Sequence, residues 1–437
     1  MKSKLFKKVL KMLARAVIGT IMISTLGSFQ LLQAAEPSLT VAYKPGPRQD
    51  VQVKWMKKWA EERGVKLNLV SISYAAYIEK VSATFLAERA EYDVVWVNDD
   101  WTQMWGPHLE PVGDVKGIED IDKAYITPFI WRGTVVGIPW LQGPNCLFYR
   151  KDIIRRPPET WKEMQILSQA LQQAGKIQWG FVAGMKYPHG WGSWLWTMWS
   201  NGADVFYPYY ERDNEVLAAY GWTPMVTDEK FVEGIEFWWD NIRKYKICPP
   251  GMLGYTREEG HKLFMAGKAA MEFPSFALWG EYSNPEKSEV AGKVGLAYAP
   301  YGPSGRYLGG YSLGAPWAWG IPKQASEEGK KLAKELIGFL SSEEVQLDQW
   351  KVTAMDTVNV KAREKLRATD PFYNEFSKAV HEAPNYCTVP AYYFPEWPEV
   401  YAVVSDYIGK AILGPREKIR STMEELDGEI RSIMKRG

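Results

Sequence analysis

A chain of 437 residues is too long for one ordinary domain and suits two. Its 46% hydrophobic and 24% charged content is that of a soluble globular protein, which excludes disordered and collagen-like chains. The formal charge is +1, and residues 1–35 carry six of the positive charges and no negative one, so the rest of the chain stands at −5. That balance argues against nucleic acid as a partner, whose affinity rests on Lys and Arg neutralising phosphates.

The elements follow in chain order. Lys2, Lys4, Lys7, Lys8, Lys11 and Arg15 open a basic leader, and the stretch from Ala16 to Leu32 is mostly apolar. It ends in Leu32-Gln33-Ala34-Ala35, small residues that suit a signal peptidase, so residues 1–35 read as an export signal. The uncharged run approaches membrane-spanning length, but Gly19, Thr20, Ser24, Gly27, Ser28 and Gln30 dilute it. Leu39 to Tyr43 reads as a strand. From Asp50 to Arg63, Val51, Trp55, Met56 and Trp59 recur at helical spacing until Gly64. Val65, Leu67 and Leu69 alternate as a strand, Tyr77, Ile78, Val81, Phe85 and Leu86 line a helix, and Asp93 to Val97 is a buried-type strand. Such alternation predicts a parallel α/β sheet, in which ligands sit beyond the carboxyl ends of strands. Asn98-Asp99-Asp100-Trp101 lies at such an end.

A second α/β block follows Tyr149. Thr160 and Glu163 predict a capping box, Trp179 to Val182 a strand, and Asp228 the start of a helix lined by Phe231, Ile235, Trp238 and Ile242. Thr256 and Glu259 cap another helix that Gly267 ends, and Ala269 to Phe273 is extended again. Late helices are expected around Leu332–Leu340 and Pro415–Met434. The pattern never settles into one uninterrupted sheet, which favours two lobes.

Signatures of catalysis are absent: no His-Glu-x-x-His, no Gly-x-Ser-x-Gly, no phosphate loop at Gly267-Lys268. His108, His189, His261 and His381 lack metal-ligand spacing, as do Cys146, Cys248 and Cys387; an exported protein could pair two of these cysteines, and three buried thiols is the simpler reading. Neither metal nor cofactor is expected. A glycosidase needs two carboxylates roughly 5 to 10 Å apart across one bond. On a continued strand, Asp99 and Asp100 would point to opposite faces, and nothing marks Glu211 or Glu272 as a partner. The residues suit sugar recognition better: an aromatic ring covers the apolar C–H face while carboxylates and amides serve the hydroxyl rim. Asp100 beside Trp101 offers both, as does Trp140-Leu141-Gln142-Gly143-Pro144-Asn145. In Trp191, Trp194, Trp196 and Trp199, helical spacing puts Trp191 and Trp194 on one face and the other two on another, so one pair is expected in the core and one toward ligand.

Several of these segments, in their order, resemble the family 1 extracellular solute-binding proteins, which include the maltose-binding proteins. They are Asp93 to Trp101, Gly137-Ile-Pro-Trp140 through Phe148-Tyr149-Arg150-Lys151-Asp152, Pro157 to Trp161, Leu263 to Met271, Leu308-Gly309-Gly310-Tyr311 and Trp319-Gly320-Ile321-Pro322-Lys323. The similarity spans essentially all of the chain after the leader.

The resemblance implies an α/β, two-lobed periplasmic-binding-protein fold of type II, closing by a hinge on a ligand between the lobes. It places residues 36–143 and 299–354 in the N-terminal lobe and 144–298 and 355–437 in the C-terminal lobe, with crossovers near Gln142–Asn145, Ala297–Pro300 and Ala354–Val358. It implies a first-lobe ligand loop at Asp99, Asp100 and Trp101, and contacts beside the first crossover from Trp140, Gln142 and Asn145. It further implies a second-lobe wall at Trp191 or Trp194, an aromatic at Phe276 or Trp279, a cleft loop at Gly310 and Tyr311, and a cleft edge at Trp397. The charged residue that follows the Asp in the maltose-binding pattern is Trp101 here, which speaks against maltose itself. The expected function is capture of a sugar, a di- or oligosaccharide, outside the cytoplasm or in the periplasm, by a monomer that delivers it to the permease subunits of an ABC importer. The rival readings are a binding protein for a sugar phosphate or another small polar solute such as a peptide, and a secreted carbohydrate-active enzyme. A phosphate would call on Lys44 and Arg48, which read as too exposed to hold one.

Overall fold

The computed structural model describes residues 36–141, 143, 146–187, 194–207, 222–274, 279–304, 316–381 and 396–435. The leader therefore lies outside the described residues, as do Cys387, His189 and Glu211. The chain begins with β1 (Ser38–Tyr43), α1 (Pro47–Arg63), β2 (Lys66–Ser71), α2 (Tyr74–Leu86) and β3 (Val94–Asn98), then reaches β4 (Ile138–Leu141). A second series holds β5 (Leu147–Arg150), α3 (Trp161–Gln173), β6 (Trp179–Val182), α4 (Trp194–Trp199), α5 (Glu229–Trp239), α6 (Arg257–Met265), β7 (Ala269–Glu272) and β8 (Val294–Ala297). The chain then returns as β9 (Trp317–Gly320) and closes with α7 (Glu327–Leu340), α8 (Glu343–Thr353), α9 (Val360–Thr369), α10 (Pro371–Val380), α11 (Trp397–Leu413) and α12 (Ile419–Met434).

Two sheets result. The first runs β2-β1-β3-β9-β4, with β1 parallel to β2 and β3, and β9 antiparallel to β3 and β4. Pro139, which cannot donate to a ladder, sits in β4 at the sheet's edge, where it costs least. The second sheet runs β8-β5-β7-β6, with β7 parallel to β6 and antiparallel to β5. The chain passes from the first sheet to the second between Leu141 and Leu147, and back between Ala297 and Trp317.

The local signals act as their chemistry requires. Val51, Trp55, Met56 and Trp59 on α1 are all buried, each large side chain contributing about 1.5–3 kcal/mol. Gly64 ends that helix at φ 62°, a left-handed position that a Cβ would strain. Thr256 and Glu259 form the expected reciprocal cap on α6. At α3 the Thr160 hydroxyl accepts from the Glu163 N–H, but the Glu163 carboxylate turns one residue further back, to the Glu159 N–H at 2.7 Å.

Burial divides the interior into three clusters. One packs α1, α2 and α7 on the first sheet, and one packs α3, α4, α5, α11 and α12 on one face of the second. The third joins Phe148, Phe264 and Tyr282 to Trp350, Tyr373 and Phe376 from α8 and α10. Between the first and third clusters lies a buried polar knot. Asp356 accepts from Tyr125 at 2.6 Å, from Tyr373 at 2.8 Å and from His381 Nε2 at 2.8 Å. Arg367 donates to the Ser377 hydroxyl, which also lies within hydrogen-bond distance of His381 Nδ1, at 3.0 Å. Because a carboxylate accepts, the His381 nitrogen facing Asp356 is the donor, Nε2–H.

Candidate ligand-binding site

The carboxyl ends of β1, β2 and β3 lie side by side, since Tyr43 is level with Ser71 and Ala42 with Val95. The antiparallel β9 starts at the same edge, with Trp317 level with Asn98 and with Leu141. The second sheet's matching edge holds Val182, Glu272, Leu147 and Ala297. Only residues 142–146 connect the two edges, a reach of about 20 Å at full extension, so the edges lie near each other. Strand ends that meet in this way are where open α/β sheets bind ligands.

On the first-lobe edge, β3 ends at Asn98, and Asp99–Trp101 form a tight 3-10 turn, not a continued strand. The expectation that Asp99 and Asp100 point to opposite faces of a strand is therefore corrected. Asp99 is 4% exposed, and the Asp100 side chain lies outside what the structure describes. Trp101 is 6% exposed and packs on Trp105 at 4.8 Å, Trp96 at 4.9 Å and Tyr77 at 5.9 Å. Its ring is occupied by its own lobe, and the exposed ring beside it is Tyr74, 55% exposed at the start of α2 and 6.4 Å from Trp101. Trp140 is wholly buried and stacked on Trp319 at 5.6 Å, so it backs the wall without presenting a face. Gln142 and Asn145 fall outside the described residues, as do Trp191, Phe276, Gly310 and Tyr311.

On the second lobe, the expectation that one pair of tryptophans faces outward meets a different arrangement. Trp194, Trp196 and Trp199 on α4 are all buried. Trp196 packs on Phe273 at 4.9 Å, Trp199 donates to Asp204 at 2.7 Å, and Trp194 lies 5.8 Å from Tyr401. A helix apolar on every side is enclosed on every side. The open ring here is Tyr187, 43% exposed, which follows β6 and lies 5.1 Å from Tyr401. Trp397 stacks on Tyr401 at 5.6 Å, and Trp279 stacks on Phe372 at 4.5 Å, in the third cluster. Glu272 is buried and accepts from Tyr282 at 2.6 Å and pairs with His261, so that carboxylate is committed to the fold.

The loop between β1 and α1 overturns one expectation. Lys44 and Arg48, taken from sequence as too exposed, are both half-buried. Lys44 Nζ lies 4.4 Å over the Trp317 ring and 5.2 Å from that of Tyr74, and Arg48 Cζ lies 5.1 Å over the same Trp317. Burial, then the Arg48 charge, pushes the Lys44 ammonium down to about 8. Burial, then the Arg257 charge, lowers Arg48 to about 10. Arg257 opens α6 on the other lobe, packed on Gly184 just beyond β6. Sequence reasoning missed Tyr74, Tyr187, Trp317 and Arg257. The strand-end rule used for β3, applied to β2, would have found Tyr74, and applied to β1 would have put Lys44 at the same edge.

Comparison with known proteins follows this geometry. Residues 46–347 match the family model described as bacterial extracellular solute-binding protein. A probable ABC transporter-binding protein of Deinococcus radiodurans is 23% identical over 66% of this chain and 68% of its own length. A mannitol-binding protein of Pseudomonas aeruginosa is 21% identical over 72% of this chain and 70% of its own. Among solved structures, maltose-bound MalE3 of T. maritima superposes with a TM-score of 0.73, at 23% identity, over 91% of this chain and 99% of that one.

Proposed function

Because this chain belongs to the bacterial extracellular solute-binding proteins, whose fold has two lobes, we propose that it captures a carbohydrate between those lobes and hands it to an ABC importer. The ligand in this reading is a sugar or polyol, with a di- or oligosaccharide as its finer form. The observation that carries this reading is the pair of open rings, Tyr74 and Tyr187, each just beyond a strand end of a different lobe. Such rings cover the apolar face of a sugar, and Asn98, Asp99 and Asp100 at the adjoining turn supply groups for its hydroxyls. The maltose and mannitol named for its relatives support the same class.

In this reading no bond is made or broken. The lobes are 36–143 with 299–354, and 144–298 with 355–437, although Trp350 reaches across to pack in the third cluster. Lobe closure accompanies binding, and the protein works as a monomer outside the cytoplasm after loss of residues 1–35. The test is titration of the purified protein with a panel of sugars and polyols, followed by Trp fluorescence. A saturable change with at least one of them is expected; silence toward all would overturn the reading, and shorter products from an oligosaccharide would make the protein an enzyme.

A further inference from the structure

We propose that the captured carbohydrate carries an anionic group, gripped by Lys44 and Arg48 of the first lobe and Arg257 of the second. The inference rests on the carbohydrate reading above and narrows its ligand class to an acidic saccharide, with the charge on a carboxylate or a phosphate.

Two cations share one indole at this edge. Lys44 Nζ is 4.4 Å and Arg48 Cζ 5.1 Å from the Trp317 ring, which holds the two like charges close together. Neither forms an ion pair with a described carboxylate, and neither does Arg257. The protein contains its own control at Trp55. There, too, two lysines sit over one ring, Lys58 at 4.4 Å and Lys54 at 5.4 Å. But Lys54 pairs with Asp348 at 2.9 Å and Lys58 with Glu344 at 3.5 Å, so that cluster is neutralised from within. At Trp317 no described carboxylate takes that part, and the charge of Arg257, from the opposite lobe, acts on Arg48.

The arrangement is held in place. Gly46 takes φ 150°, a conformation reserved for glycine, between Pro45 and Pro47, which stiffens the loop that carries Lys44 and Arg48. Gln349 of α8 donates to the Arg48 carbonyl at 3.3 Å. Arg48 also lies in the first turn of α1, where the helix dipole disfavours a cation. Packing alone gives no reason to place three cations here that pair with no described carboxylate, since each added charge raises the repulsion. An anion inserted between them removes it and gains charge-assisted hydrogen bonds from both lobes. Its charge would also draw the lobes together, which couples recognition to closure.

The test is calorimetric titration of the exported protein, at low and at moderate salt, with glucose, glucuronate and glucose 6-phosphate, and with disaccharides in the same three forms. Inorganic phosphate serves as a carbohydrate-free probe. At least one charged form should bind about 10- to 100-fold tighter than its neutral parent, the range of one or two charge-assisted hydrogen bonds. The preference should shrink with salt, and the ratio should fall toward one in the Lys44→Met/Arg48→Met double variant. A lead for the uronates assigns a carboxylate and a lead for the phosphates a phosphoryl group; either upholds the inference. Neutral sugars that bind as tightly as their charged forms would overturn it and leave the carbohydrate reading intact. Binding of inorganic phosphate alone, or of nothing, would overturn both. Should the double variant fail to fold, the ratio in the unaltered protein and its salt dependence still decide.

Discussion

At the scale of single residues, the half-buried Lys44 makes the clearest prediction. The described groups that face it are the Arg48 guanidinium on α1 and the rings of Tyr74 on α2, Trp96 on β3 and Trp317 on β9. Burial, then Arg48, lowers it from 10.5 to about 8, so the folded ligand-free protein binds fewer protons than the unfolded chain between those values. The penalty for holding the charge is thus full below about pH 8 and disappears above about 10.5. Lys44→Met should therefore melt above the unaltered protein at pH 7, with the gap closing as the pH approaches 10.5. A charged ligand stabilises the ammonium, so its affinity should fall as pH rises through about 8. An affinity that stays flat over that range would mean that Lys44 does not meet the ligand. The sequence made Lys44 visible but not its setting: Trp317, which covers it, returns from far along the chain, and no local pattern records that.

At the scale of elements, two junctions respond differently to substitution. A Cβ at Gly184 would sit 2.5 Å from Arg257 Cα and 2.6 Å from its backbone nitrogen. Gly184→Ala should push the start of α6 away from β6, lowering stability by about 1–3 kcal/mol in urea unfolding and displacing Arg257 from the cleft. Asp356→Ala is the harsher change, because it leaves the hydroxyls of Tyr125 and Tyr373 and the His381 N–H without their acceptor. A loss of about 3–5 kcal/mol is expected. Burial, against the pull of Asp356, lowers His381 below 6.5. Stability from that ring is present above pH 6.5 and is lost as the pH falls below it, so the melting temperature should decline there, and less so in His381→Gln.

These elements also show what sequence patterning can and cannot reveal. The β1-to-β3 series, the α6 cap and the Gly64 stop were legible because each signal is local. The helix α8 was not, because its buried face carries Gln346 and Gln349 beside Val345 and Trp350. Gln346 bonds the Trp140 carbonyl at 2.9 Å, and Gln52 accepts from Trp319 at 3.2 Å. A helix that docks on its own lobe through amides hides from any reading that follows apolar spacing. Among the described tryptophans, Trp96, Trp140, Trp194, Trp196, Trp199 and Trp319 are all fully buried, and the most exposed described rings are Tyr74 and Tyr187.

At the scale of the whole molecule, ligand should bring the two sheet edges closer. Small-angle scattering should show a smaller radius of gyration when a binding sugar is added, and no change with one that does not bind. An unchanged radius with a bound sugar would mean that the lobes are set before the ligand arrives. The Asp356 knot lies on the side where α8, α9 and α10 join the two halves, so its disruption should loosen the pivot as well as the fold.

The return strand β9 bears on how such motion is carried. It does not join the first sheet at its rim; it is laced between β3 and β4, with hydrogen bonds along both flanks. Torque from the swinging half therefore enters through the middle of the fabric and is shared by two seams, where a strand sewn along one border would peel. Repeated cycles of grasp and release can then tug on Trp317, the first stitch, without unpicking the cloth behind it.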